Sequence, residues 1–370
     1  MVSYTVIARR WRPKRFEDLV GQEGVVKALS NAITSKRIAH AYIFVGPRGT
    51  GKTSTARLFA MALNCEEGPR LDFDPESSRC QAIAQGRSMD VIEIDGASNN
   101  SVEQIRSLRE DCQYAPSDGA YKIYILDEVH MLSTAAFNAL LKTLEEPPAH
   151  VKFIFATTEI HKVPNTIISR CQYFEFFPLE TELIEQQLKR IVDGENLQAE
   201  PAALHTIARL AEGGMRDAQS MLDQLLTFSE GVLTENAVKS MYGLLSTEAL
   251  LKLTKAIEDN NYADVLTGIE NIIHSGCDAY RTVLDIEMYF HDQLVNASKN
   301  APQVKYSPFV YAKILEILKS GEEQLQRGLS IKSNLEALLF KAIECTKVSS
   351  IEVLLQALNS LPDEVKKNDF

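Results

Sequence analysis

The sequence predicts an α/β fold: a parallel β-sheet flanked by helices, followed by two all-helical regions. Three observations carry that expectation. Short apolar runs alternate with helical patterns up to about residue 178, as strands joined by crossover helices do. After Pro178 the strand signal stops and helical spacing takes over. Between the first clear strand and its helix stands Gly46-Pro47-Arg48-Gly49-Thr50-Gly51-Lys52-Thr53, with the spacing of a phosphate-binding loop.

The elements follow in order. Ala41-Tyr42-Ile43-Phe44-Val45 reads as a short buried strand, and Ser54 to Asn64 as the helix whose N-terminus faces the phosphates. Further strands are expected at Val91 to Ile94, Lys122 to Leu126 and Lys152 to Thr157. A small helical unit covers 180 to about 243, with helices at Glu182 to Asp193, Pro201 to Ala211, Arg216 to Phe228 and Thr234 to Tyr242. From Ser246 onward apolar residues recur at helical spacing, as in Leu250, Leu253, Ile257 and Val265, Ile269, Ile272. Interruptions are expected at Asn300-Ala301-Pro302 and at Ser320-Gly321, and fraying at Lys366 to Phe370. The expected domains are 1–179, 180–243 and 244–370, in keeping with about two or three domains for 370 residues.

Composition narrows the function classes. The chain is 45% hydrophobic and 24% charged, as soluble globular proteins are. No apolar run reaches membrane-spanning length and Met1-Val2-Ser3-Tyr4 opens no signal peptide, so a cytoplasmic location and no membrane partner are expected. Six dispersed cysteines speak against a disulfide framework. A net charge of -11 excludes a chain that coats nucleic acid by bulk electrostatics. Contact with nucleic acid would be local, or made by an assembly.

The loop explains its own residue types. Gly46, Gly49 and Gly51 allow backbone angles that turn N–H groups of Pro47's successors, Arg48, Thr50 and Ser54 among them, toward phosphate oxygens. Lys52 can reach the β- and γ-phosphates, and the Thr53 hydroxyl can hold a Mg²⁺ that bridges them. Ile123-Tyr124-Ile125-Leu126 ends in Asp127-Glu128, at the strand end where side chains meet ligand. Asp127 is the expected partner of Mg²⁺, and Glu128 the expected polariser of the attacking water. Thr157 and Thr158 close the next strand. Thr158 is the expected sensor of the γ-phosphate, against a plain strand threonine.

Other stretches identify a family. The chain carries Ala8-Arg9-Arg10-Trp11-Arg12-Pro13, Phe16 and Val20-Gly21-Gln22. It also carries Asp127-Glu128-Val129-His130-Met131-Leu132, the run Asn138-Ala139-Leu140-Leu141-Lys142-Thr143-Leu144-Glu145-Glu146-Pro147-Pro148, and Ser169-Arg170-Cys171. With these motifs it resembles the bacterial clamp-loader ATPases, the gamma/tau subunits of DNA polymerase III. The match runs through the nucleotide domain and lid and, more weakly, through the C-terminal helices.

The resemblance implies a RecA-like AAA+ nucleotide domain, a helical lid and a helical collar. It implies an ATP-hydrolysing subunit of a pentameric ring, with delta and delta prime subunits, that loads a sliding clamp onto primer-template DNA at the bacterial replication fork. Arg170 would be an arginine finger offered in trans, a role that contributes on the order of 10³–10⁵ in rate. Arg216, in Gly213-Gly214-Met215-Arg216-Asp217, would be the lid sensor. Arg10, Trp11, Pro13 and Val20 would line the adenine pocket, and no polymerase active site is implied.

The chain departs from the family pattern in two places. Where the family has a four-cysteine zinc module, Cys65 and Cys80 keep the outer positions while Asp74 and Ser77 take the inner ones. Zinc prefers four thiolate or imidazole ligands, so no zinc is expected. The sequence also ends about where the collar would, so a helicase and polymerase tether is expected to be absent. DNA contact has two readings at Gly96 to Ser101 with Arg106 and Arg109: a phosphate-receiving helix start, or an ordinary capped surface helix. Two rival functions are disfavoured. Lys52, Thr53, Asp127 and Glu128 are all present, which speaks against a structural subunit without hydrolysis. Ser169-Arg170-Cys171 and Glu145-Glu146-Pro147-Pro148 speak against a branch-migration motor.

Overall fold

Five parallel strands form the sheet: β1 (Ala41–Val45), β2 (Val91–Asp95), β3 (Lys122–Asp127), β4 (Val151–Thr157) and β5 (Gln172–Glu175), in the order β2-β3-β4-β1-β5. The structure is a computed structural model that describes residues 5–228, 231–299, 304–327 and 330–346. All five residues of β1 and all seven of β4 are buried, because these central strands are covered on both faces. Alternate side chains feed two cores. Tyr42 and Phe44 join Ile123, Ile125 and Ile154 on one face, while Ile43, Val45, Tyr124, Phe153 and Phe155 point to the other. Burying each such side chain contributes about 1.5–3 kcal/mol.

Helices α1 (Ile7–Arg10), α2 (Glu23–Thr34), α3 (Lys52–Asn64) and α4 (Ser78–Ala84) come first, followed by α5 (Val102–Asp111), α6 (Thr134–Glu145) and the short α7 (Asn165–Ile168). Leu29 and Ile33 of α2 and Leu58, Phe59 and Leu63 of α3 fill the first core. Ile105 and Leu108 of α5 and Phe137, Leu140 and Leu144 of α6 fill the second. The sequence expectation missed β5, an edge strand whose Gln-Tyr-Phe-Glu text lacks an apolar run. β5 is held by pairing with β1, from Tyr42 opposite Gln172 to Val45 opposite Glu175.

After Pro178 the chain forms α8 (Thr181–Gly194), α9 (Pro201–Leu210) and α10 (Met215–Phe228). Strand pairing does not vanish there as expected. Gln198–Ala199 and Val232–Leu233 form a two-residue parallel ladder, too short to leave a periodic signal. The chain divides into two compact units, one running to Glu235 and one beginning at Asn236. Helix α11 (Glu235–Tyr242) starts at that division.

The second unit is built from α12 (Thr247–Glu258), α13 (Tyr262–His274), α14 (Ala279–Ser298), α15 (Pro308–Arg327) and α16 (Ile331–Thr346) around a core that includes Ile257, Ile269, Phe290, Tyr311 and Leu339. The break expected at Ser320-Gly321 does not occur, because α15 runs through it. Gly321 is there for packing: a Cβ at that position would sit 2.4 Å from a methyl of Leu338 on α16. The break expected at Asn300-Ala301-Pro302 and the fraying at Lys366 to Phe370 lie outside the described residues. Among the described residues no helix is long and apolar enough to cross a membrane.

Candidate nucleotide-binding and hydrolysis site

The site stands at the C-terminal ends of β1, β3 and β4, where an open parallel sheet exposes its ligand crevice. β1 runs straight into the glycine loop. Gly46 has φ 152° and a Cβ there would lie 2.2 Å from the Phe176 carbonyl oxygen, so only glycine fits. Gly51, at φ 104°, turns the chain into the first turn of α3. Lys52 opens that helix and is 5% exposed. Its Nζ donates to the carbonyls of Gly46 and Pro47, each at 2.7 Å. Burial lowers the Lys52 pKa, against the opposing pull of the Glu128 and Asp127 carboxylates. A buried ammonium aimed into the loop is the group that a triphosphate requires. Thr50 is buried and bonds the Pro47 carbonyl at 2.9 Å, so its hydroxyl shapes the loop.

At the end of β3 the two carboxylates separate by conformation. Asp127 continues the strand, and one of its oxygens accepts a hydrogen bond from Thr53 Oγ1 at 2.7 Å. A hydroxyl and a carboxylate oxygen side by side are hard ligands of the kind Mg²⁺ takes alongside phosphate and water. Glu128 is held at φ 45°, a left-handed angle uncommon outside glycine. That turn lifts its carboxylate off the strand direction. Thr158 Oγ1 donates to Glu128 Oε2 at 3.2 Å. Thr157, fully buried, turns instead to His130 Nδ1 at 3.0 Å and accepts from the Glu159 backbone N–H at 3.0 Å.

His130 is the residue that sequence reasoning quoted and did not use. Its ring is nearly buried, with Nδ1 3.4 Å from Glu128 Oε2 and Nε2 3.3 Å from Glu159 Oε1. It ties the end of β3 to the end of β4, and so fixes where Glu128 can point. The signal available was position: three residues after Asp127, within one 3₁₀ turn (Val129–Met131).

The cavity over the loop is closed by the N-terminal segment and by α8 and α10. Trp11, Arg12, Pro13, Leu19 and Val20 line one side, and Gln187, Met215, Arg216 and Gln219 the other. Arg48, Gly49, Thr50, Gly51, Lys52, Thr53 and Ser54 form the floor with Asp127 and Glu128. Trp11 is fixed by its Nε1–H on Glu195 at 2.8 Å, and its ring lies where a Cβ on Gly194 would stand, 2.6 Å away. Arg10, expected in the adenine pocket, does not line this cavity. Its guanidinium is drawn to Glu195 at 2.8 Å, the carboxylate whose other oxygen holds Trp11 Nε1. Arg12, past the end of α1, lines the cavity instead.

The lid helix seats directly on the loop. A Cβ on Gly49 would come within 3.0 Å of Gly214 Cα, and one on Gly213 (φ 85°) within 2.5 Å of the Pro178 side chain. These glycines let the turn before α10 touch the loop, which brings Arg216 to the cavity edge. Leu179 N–H on the Gly213 carbonyl, 3.0 Å, pins that turn.

Comparisons with known proteins identify the family. A family model described as "DNA polymerase III, delta subunit" matches residues 21–180, and one described as "DNA polymerase III clamp loader subunit, ATPase lid domain" matches 183–231. The DNA polymerase III subunit tau of Bacillus subtilis is 49% identical over 301 residues, 81% of this chain and 53% of that protein. The DNA polymerase III subunit gamma of Buchnera aphidicola subsp. Baizongia pistaciae is 36% identical over 315 residues, 85% of each chain. The chain belongs to the DNA polymerase III gamma/tau family. It spans about half the length of the Bacillus relative. Among solved structures, the Thermotoga maritima RuvB Holliday junction branch migration motor matches with TM-score 0.48 and 20% identity, over 67% of this chain and 79% of that one.

The family's remaining signature residues fall outside the cavity. Arg170 follows α7 and does not line it. Cys171 beside it is inert as a nucleophile, since burial pushes its thiol up to about 12. Cys65 and Cys80 are both buried, with Cys65 Sγ on the Gly68 carbonyl at 2.7 Å. Ser77, one of the inner positions, caps α4 by accepting from the Cys80 N–H, and Asp74 accepts from the Glu76 N–H. Among the described residues no three His, Cys, Asp or Glu side chains gather as a metal site would. At α5, Ser101 and Gln104 form a reciprocal capping box that engages the backbone N–H groups of Ser101 and Gln104.

Proposed function

We propose that this chain is an ATP-hydrolysing subunit of a clamp loader, working in a ring with delta and delta prime subunits to place a sliding clamp on primer-template DNA. The observation that carries the reading is the split between one complete binding cavity and one displaced arginine. Lys52, Thr53, Asp127, Glu128 and Arg216 meet at one cavity, whereas Arg170 stands outside it. A site that binds the nucleotide and lacks its own finger is suited to completion by a neighbour.

In this reading ATP lies with its phosphates over the loop N–H groups and Lys52. Thr53 and Asp127 would hold Mg²⁺, which would neutralise phosphate charge when bound. Glu128 accepts a hydrogen bond from the attacking water and orients it, with Thr158 and His130 beside the carboxylate. Arg216 reports the nucleotide state to the lid because its helix rests on the loop. Trp11, Arg12, Pro13 and Val20 receive the base. Residues 1–179 form the nucleotide domain, 180–243 the lid and 244–370 the collar. The loop between Cys65 and Cys80 works without zinc, and the protein acts in the cytoplasm.

The test is steady-state ATP hydrolysis by the reconstituted ring, with and without clamp and primed DNA. Clamp and DNA together should stimulate more than the sum of each alone. Arg170→Ala should keep ATP binding and lose the stimulated rate, by on the order of 10³-fold or more. Full stimulated hydrolysis by that variant ring sinks the in-trans assignment.

A further inference from the structure

Arg170 does not extend into solvent. Its Nη1 donates to the Thr166 carbonyl, four residues back in α7, at 2.7 Å, and its Nη2 to Glu145 Oε1 at 2.6 Å. The side chain is folded onto its own subunit, across α7 and the C-terminal end of α6. Glu145 is the last residue of α6, where the helix dipole disfavours a carboxylate and welcomes a cation. The pair is partly exposed, with the arginine at 32% and the glutamate at 51%. Solvent screens it, so a stronger anion can displace it at little cost. Glu146, one residue on, is exposed and makes no contact with Arg170 among the described residues.

We infer that Glu145 is a positioning residue: it holds Arg170 retracted against its own subunit until a neighbour's triphosphate outcompetes it. The inference rests on the reading of Arg170 as a finger in trans. A folded-back guanidinium cannot reach a neighbouring site, because the reach of the side chain is spent on Thr166. A finger left free would be extended in a fraction of rings without any clamp or DNA, and would fire there. Glu145 lowers that fraction. The triphosphate, with its higher charge density and bidentate geometry, takes Arg170 over when the subunits close.

The experiment measures unstimulated and stimulated hydrolysis, with kcat and KM separated, in rings carrying Glu145→Gln, Glu146→Gln, Arg170→Ala or Glu145→Gln with Arg170→Ala. The expected result is a two- to fivefold rise in unstimulated kcat for Glu145→Gln, roughly the factor an exposed ion pair can set. KM stays put, and Glu146→Gln behaves as wild type. The rise vanishes in the Arg170→Ala background and shrinks as salt is raised. A Glu145→Gln ring at or below the wild-type unstimulated rate overturns the latch, and so does a rise that persists without Arg170. If Arg170→Ala alone leaves stimulated hydrolysis intact, the finger reading itself fails. If it abolishes hydrolysis while Glu145→Gln is silent, only the latch fails.

Discussion

Asp90 offers a test of how the sheet is held from below the site. It is 5% exposed and accepts three backbone N–H groups, from Ser117 at 2.6 Å, Asp118 at 2.8 Å and Gly119 at 2.7 Å. Its own carbonyl accepts from Ile123 N–H at 2.7 Å, so it clamps the loop that leads into β3. Burial pushes the Asp90 pKa up, but those three hydrogen bonds and the nearby Lys122 charge outweigh it and leave the carboxyl below its ordinary value. In Asp90→Asn the amide offers one acceptor oxygen, and its NH₂ group faces at least one N–H donor. Hydrogen bonds to a charged group contribute about 1.5–3 kcal/mol, and an unsatisfied buried donor costs about 1–3 kcal/mol. With one bond lost and the others weakened, the first unit should lose about 3–5 kcal/mol, a large share of a typical domain's stability. The sign with pH follows from the depressed folded value. The stabilisation is complete above the unfolded carboxyl range near pH ~4 and is lost as pH falls through the folded pKa. The variant should therefore show a shallower acid limb, by up to ~1.4 kcal/mol per pH unit for one proton. Urea unfolding followed by Trp11, the single tryptophan and a member of the first unit, reads this without interference from the second. A loss under about 0.5 kcal/mol with an unchanged acid limb would show that water replaces the carboxylate and that the clamp is not structural.

Three further outcomes are expected. Lys52→Ala removes two contacts to the phosphates, so ATP affinity should fall by about 10²–10⁴-fold in titration calorimetry, with each charge-assisted bond contributing about 1.5–3 kcal/mol. Its melting temperature should barely move, since the lost loop hydrogen bonds are offset by removal of a buried charge; unchanged affinity would falsify the assignment. His130→Phe should leave nucleotide affinity intact and reduce kcat by about 10²-fold, because Glu128 loses its orienting contact. Wild-type kcat in that variant would mean that Thr158 alone fixes the carboxylate. Gly321→Val should destabilise the second unit by about 1–3 kcal/mol in thermal melts, since its methyls enter the space of Leu338. A stabilised variant would show that α15 and α16 can part without loss.

Much of this site was legible because its chemistry is local in sequence. The glycine loop with Lys52 and Thr53 is one stretch of eight residues, and its backbone angles follow from its glycines. Three of the four expected strands, β1, β3 and β4, were readable for the same reason: strands inside a parallel sheet are buried on both faces and spell continuous apolar runs, whereas the edge strand β2 was legible from Val91, Ile92 and Ile94. β5 was not readable. An edge strand with exposed or half-exposed residues is decided by the pairing partner, here β1, and leaves no periodic trace.

By itself the sequence determined the fold class, the phosphate loop, the pair Asp127-Glu128 and, through its signature stretches, the family. Tertiary structure alone decided the relations between distant segments. It turned Arg10 away to Glu195, 185 residues on, and placed Arg12 on the cavity instead. It made His130 the brace between two strand ends. It carried α15 through Ser320-Gly321, because the room that glycine leaves is filled by Leu338 from another helix. It also folded Arg170 back onto Glu145, 25 residues away. The physical reason is common to all four. Propensity and spacing act within a few residues, whereas an ion pair, a close helix approach or a brace between strands depends on partners that only the fold brings within reach.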